Sequence, residues 1–135
     1  KLSWADDLLD ATPPLEAKKM FFSLAVTEGI GYQEGQQNDG LKIEFIDVRR
    51  AYFHASARRR VCVKLPPGDA APGMCGLLSE SMYGTRDAAQ NWECEYAGFM
   101  DSCGMQRGSA SPCIFMHPKC TLRAAVHGGD FTILG

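Results

Sequence analysis

The chain has 135 residues, of which 45% are hydrophobic, with 14 basic and 16 acidic side chains and a net charge of −2. That is enough apolar material for one globular core. No stretch approaches the roughly 20 apolar residues of a membrane span, and the N-terminal KLSWADDLLDATPP lacks the basic-then-apolar order of a secretory signal, so the chain reads as intracellular.

In chain order, Thr12, Pro13 and Pro14 open a predicted helix, with Glu16 near its positive end and LEAKKMFFSLAVTE as its body, ending at Gly29. GYQEGQQNDG is polar and aperiodic, and reads as an exposed loop. LKIEFIDV then alternates as a strand, with Leu41, Ile43, Phe45 and Asp47 on one face and Lys42, Glu44 and Ile46 on the other. Charge changes sign here. Residues 1–47 hold nine acidic and four basic side chains, and residues 48–135 hold ten basic and seven acidic. The basic excess centres on RRAYFHASARRR, where Arg58, Arg59 and Arg60 are either a phosphate-backbone contact or the solvated end of a strand.

VCVKLPPGDAAPG is a short β run stopped by prolines. RDAAQNWECEYAGFMDSCG is a second helix with Ala88, Trp92, Tyr96, Phe99 and Cys103 as its apolar stripe and Gly104 as its stop. MQRGSASPCIFMHP and TLRAAVHGG follow as short strands, and Gly128-Gly129 marks a tight hairpin before DFTILG. This order predicts an α+β fold, with helices packed on one face of an antiparallel sheet. The six cysteines, without a secretory segment, are expected to be reduced and mostly buried.

Three constellations carry candidate chemistry. Cys113, His117 and Cys120 supply soft ligands, but no short C-x₂-C pair anchors a four-coordinate zinc site, and the expectation is strand packing without metal. MYGTRDAAQNW places Arg86 and Asp87 at a helix start, a candidate anion or nucleotide site if it is more than a cap. Asp47 ends an apolar strand on the face expected to be buried, and Asp130 stands at the hairpin tip. On adjacent strands the two carboxylates would make a hard-oxygen site suited to Mg²⁺, and otherwise they are two solvated strand ends.

Taken together, FIDVRRAYFHA, LPPG, MCGLLSESMYGTRDAAQNW, SPCIFMHP and AAVHGGDFTILG resemble the ordered blocks of a copia-type retrotransposon reverse transcriptase, with ATPPLEAKKMFFSLAVTEG similar to the helix that precedes them. The resemblance covers nearly the whole chain. It implies that residues 1–135 are a single partial domain, a polymerase palm lacking the start of the fingers and the thumb. It also implies two Mg²⁺ ions held by one Asp of the strand motif, here Asp47, and by a consecutive Asp pair in the hairpin. Asp130 matches the second of that pair, and Gly129 stands where the first is expected.

By the same resemblance, Tyr52 lies under the incoming sugar and excludes a 2′-hydroxyl, while Arg86 and Asp87 lie near the incoming nucleotide. There relatives often read Gln-Ala-Pro, and this chain reads Asp87-Ala88-Ala89. The implied partners are an RNA template, a DNA primer, deoxynucleoside triphosphates and the rest of a Pol polyprotein with integrase and RNase H. The implied location is cytoplasm, nucleus or an element-derived particle. With Gly129 in the hairpin, the expectation is a catalytically impaired polymerase fragment. The alternative is a non-catalytic remnant that binds nucleic acid or protein.

Overall fold

A computed structural model describes residues 12–27 and 41–135. The N-terminal segment, the expected stop at Gly29 and the loop of residues 31–40 lie outside the described residues. The architecture is α+β. The elements are helix α1 (Leu15–Thr27), strand β1 (Ile43–Asp47), a one-turn 3₁₀ helix (Ala51–His54), strands β2 (Cys62–Val63) and β3 (Gly76–Leu77), and helix α2 (Ala88–Ser102). Strands β4 (Gln106–Arg107), β5 (Ile114–Met116), β6 (Arg123–His127) and β7 (Asp130–Leu134) complete the described chain. Five strands form one antiparallel sheet in the order β1-β7-β6-β5-β4, and β2 and β3 pair separately.

The helices do not share a face. Trp92, Tyr96 and Met100 of α2 pack with Phe115, Ala124, Val126 and Phe131, whereas Phe21 and Ala25 of α1 pack with Ala125 and Leu134. Because side chains alternate along a strand, those two sets lie on opposite sides of the sheet. The expectation of helices on one face is therefore corrected, and the reason lies in RAAVH. Ala124, Ala125 and Val126 are buried consecutively, and a strand buried on both faces must be covered on both.

α2 also turns slightly from its expected stripe. Its buried row is Ala88, Trp92, Tyr96 and Met100, spaced by four, with Asn91 beside it. Phe99 is 65% exposed, and Cys103 is exposed as well. The helix ends as expected at Gly104, whose φ of 79° lets Met105 N–H bond the Met100 carbonyl at 3.0 Å and Gly104 N–H bond that of Asp101 at 2.9 Å, a Schellman cap. Between α2 and the strands runs an apolar groove of about 590 Å³, lined by Ile46, Trp92, Tyr96, Phe99, Leu122 and Ile133, with Glu44 and Glu95 also on its wall.

β1 is an edge strand. Phe45 is 66% exposed and Asp47 is exposed, so the face expected to be buried there is largely open. Among the described residues β7 is its one strand neighbour, and on the Phe45 face α1 reaches it through Phe22, whose ring centroid is 6.2 Å from that of Phe45, which leaves that face thinly covered. The cysteines depart from expectation too. All six are free thiols, and Cys113 alone is buried, its Sγ lying 3.0 Å from the Ser111 hydroxyl.

Candidate active site

The site is assembled by the hairpin that joins β6 to β7. Gly128 has φ 58°, and Gly129 is not among the positive-φ residues, so the left-handed conformation falls on the first of the two turn residues, the pattern of a type II′ turn. Two hydrogen bonds pin this tip. Trp92 Nε1 donates to the Gly128 carbonyl at 2.7 Å, and Val48 N–H donates to the Gly129 carbonyl at 2.8 Å. The first ties the turn to α2, and the second ties it to the end of β1.

This fixes the register. Asp47 pairs directly with Asp130, and Asp130 also pairs with His127 on its other side. Directly paired antiparallel residues put their side chains on the same face, so the two carboxylates are cross-strand neighbours at one end of the sheet. Both are exposed. Water therefore solvates them, and neither bears the burial cost expected from the apolar run around Asp47. Glu44 lies on the opposite face, along the α2 groove, as the alternation predicts.

Gly129 completes the geometry by what it lacks. A Cβ at this position would stand 3.5 Å from Asp47 Oδ1, 3.3 Å from Ala51 Cβ and 3.1 Å from the Val48 carbonyl oxygen. A side chain here would project beside the Asp47 carboxylate. Two carboxylates, with water and phosphate oxygens, are an adequate donor set for one Mg²⁺ ion and fall short for two. Among the described residues, no group of three His, Cys, Asp or Glu side chains is placed to hold a metal ion.

The other candidate residues fall into a second region. Tyr52 is partly buried against the α2 core and stacks on Tyr83, with centroids 4.3 Å apart and planes 20° from parallel, while Phe53 meets the edge of Tyr83. Arg58, Arg59 and Arg60 form a bulge. Ala57 N–H bonds the Ser79 carbonyl and Leu78 N–H bonds that of Val61, so three arginines on one side oppose no residue on the other. Sequence reading missed this ladder because GLLSES carries neither a long β run nor a turn signal next to ARRRV.

Arg59 and Asp87, assigned above to different ligands, bind each other. Arg59 Nη2 donates to Asp87 Oδ1 at 3.0 Å, and Asn91 Nδ2 lies 3.4 Å from Oδ2. Asn91 also donates to Ser81 Oγ at 3.0 Å, which satisfies its buried amide. Asp87 makes no side-chain cap to α2, and Arg86 beside it is exposed. The Arg59 hydrogen bond holds the Asp87 carboxyl below the ordinary carboxylate range against the opposing effect of burial, and Asn91 adds to the lowering.

A lowered folded-state pKa favours folding above the unfolded value, and the advantage is lost as pH falls through the folded one. Asp87→Asn is therefore expected to lower the unfolding free energy from urea melts at pH 7 by less than about 1 kcal/mol, since the Arg59 side of the ion pair is open to solvent. The difference from the unaltered chain should shrink as pH falls below the ordinary value of 3.8. A difference that is unchanged between pH 7 and pH 2 would show that the carboxylate charge is not what matters.

The cysteine-histidine set is dispersed by environment. Cys113 is buried, Cys120 is exposed, and His117 Nδ1 accepts the Lys119 N–H at 3.2 Å. Treating the protein with a chelator is expected to leave its melting temperature unchanged, and a fall of several degrees would establish a structural metal there.

This chain is 27% identical over 78 residues to the Retrovirus-related Pol polyprotein from transposon TNT 1-94 of Nicotiana tabacum, a match that takes in 56% of the chain and 6% of that polyprotein. No family model matches the chain, and no solved structure matches it. The likeness supports an origin in a transposon Pol polyprotein. Among the described residues, no helix is long and apolar enough to cross a membrane.

Proposed function

We propose that this chain is the palm region of an RNA-directed DNA polymerase from a copia-type Pol polyprotein, with Asp47 and Asp130 as its nucleotidyl-transfer carboxylates. The observation that carries the reading is the direct pairing of Asp47 with Asp130 beside a glycine where a Cβ would stand 3.5 Å from Asp47 Oδ1. The likeness to a transposon Pol polyprotein supports it. The partners would be an RNA template, a DNA primer and deoxynucleoside triphosphates, with fingers, thumb and RNase H segments supplying most of the grip on nucleic acid and integrase as another part of the Pol polyprotein.

Asp47 and Asp130 would hold Mg²⁺. Such an ion, when bound, neutralises triphosphate charge and lowers the pKa of a primer hydroxyl. The chain's own contribution is placement. Trp92 and Val48 hold the hairpin tip so that both carboxylates stay at one sheet end, and the Tyr52–Tyr83 stack offers a rigid aromatic edge against a sugar. With Arg59 committed to Asp87, the exposed Arg58 and Arg60 remain as the readier phosphate contacts of the bulge.

Gly129 leaves the site one carboxylate short, so the chain as it stands is impaired. The test is primer extension by a chimaera in which this chain replaces the matching segment of the tobacco polyprotein. Gly129→Asp should extend, and adding Asp47→Asn should silence it. Extension that is indifferent to Asp47 would set the proposal aside. A second reading, a non-catalytic nucleic-acid-binding remnant, is favoured by Gly129 together with the three exposed arginines. It would be preferred if RNA binding persisted in a chimaera that no hairpin substitution could activate.

A further inference from the structure

Outside the carboxylate site, Cys62 lies on β2 and Cys75 immediately precedes its partner strand β3. Cys62 pairs with Leu77 and Val63 with Gly76, so Cys75, two residues before Leu77, lies on the same face as Cys62 at the diagonal position. Both are exposed free thiols. We propose that Cys62 and Cys75 form a reversible intramolecular disulfide when the protein meets a peroxide. The Cys62 sulfur beside it pushes the Cys75 thiol up, as close thiols do.

The other exposed cysteines lack such a neighbour in sequence or ladder. Cys94 and Cys103 sit on or at the end of α2, and Cys120 lies between β5 and β6.

The step balances. The Cys62 thiolate attacks one peroxide oxygen, the O–O bond breaks, and protonation of the departing oxygen releases water and leaves a sulfenic acid. Cys75 sulfur then attacks the sulfenic sulfur, the S–S bond forms, and the hydroxide leaves as a second water with the Cys75 proton. Two thiols are oxidised, and one peroxide is reduced to two waters. The bond would fasten the ladder at its outer end, beyond the arginine bulge, and across the proline-rich loop of residues 64–75. That segment is largely exposed and carries the left-handed Gly73, so it can take up the small movement that disulfide geometry requires.

The test is limited peroxide treatment of the whole chain, followed by mass spectrometry and tryptic mapping without reduction. The expected product is a monomer lighter by two hydrogens, in which the Cys62 and Cys75 peptides are joined. Dithiothreitol should reverse it. Cys94 and Cys103, which no strand pairing sets beside a second thiol, should instead be recovered as sulfenic acid or higher oxides. Cys62→Ser, an exposed change, should abolish the two-hydrogen loss. The proposal is overturned if Cys62 and Cys75 stay unlinked while other thiols oxidise, or if Cys62→Ser forms the intramolecular product at the original rate.

Discussion

Gly129→Asp, introduced into the chimaera with the tobacco Pol segments, is expected to raise Mg²⁺-dependent primer extension on an RNA template by about 10²-fold or more, the scale on which one well-placed electrostatic group acts. The turn permits the change. Residue 129 is not held in the left-handed region, so a side chain is tolerated by the backbone there. Its Cβ would stand 3.5 Å from Asp47 Oδ1, which puts a new carboxylate next to the existing pair. Three carboxylates offset two divalent ions better than two do, and they fill a coordination position that water would otherwise occupy.

The same geometry sets a cost. The 3.1 Å approach to the Val48 carbonyl is tight, and that carbonyl belongs to the residue whose N–H holds the hairpin tip. Stability should therefore fall by about 1 kcal/mol or somewhat more, as for other modest overpacking. Gain of activity with loss of stability is the combined signature to look for in extension assays and urea melts. Equal extension by the chimaeras with and without the Gly129→Asp change would show that the missing carboxylate is not the lesion. Failure of both would place further defects elsewhere in the chain.

Truncating Trp92 is expected to give the largest stability effect. Its ring is buried and meets Tyr96 and Phe131 edge-on, and Trp92→Ala should cost about 3–5 kcal/mol by loss of transfer energy and creation of a cavity. Trp92→Phe separates packing from tethering. It keeps most of the ring and removes the 2.7 Å bond to the Gly128 carbonyl, for an expected loss of about 1–3 kcal/mol. Amide exchange should then accelerate at residues 127–131 while the Phe115 region stays protected. Uniform acceleration throughout would mean that Trp92 serves only as core.

Much of this was legible in the sequence, for identifiable reasons. The 3.6-residue spacing of Trp92 and Tyr96 and the Gly104 stop gave α2, and Gly128-Gly129 gave the hairpin, because each signal is local. Asp47 and Asp130 were singled out as breaks in apolar runs, although their pairing depends on β1 joining the sheet beside β7, a contact across more than eighty residues that no local pattern encodes. α1 on the opposite face was written in the three consecutive buried residues Ala124, Ala125 and Val126, a signal passed over in favour of helix order. The Arg59–Asp87 pair, twenty-eight residues apart in sequence, was hidden because each residue looked available for a ligand. Trp92 was read correctly as core, but its indole N–H, the part that reaches the site, leaves no mark in periodicity.

The central claim is that Asp47 and Asp130 make one cation site beside Gly129, and Mn²⁺ titration of the isotope-labelled chain followed by NMR tests it most directly. Paramagnetic broadening should centre on residues 47 and 130 and on the hairpin tip between them and β6, disappear in Asp47→Asn, and appear at lower Mn²⁺ concentration in Gly129→Asp. Broadening that centres elsewhere, or that is the same in Asp47→Asn as in the unaltered chain, would contradict it.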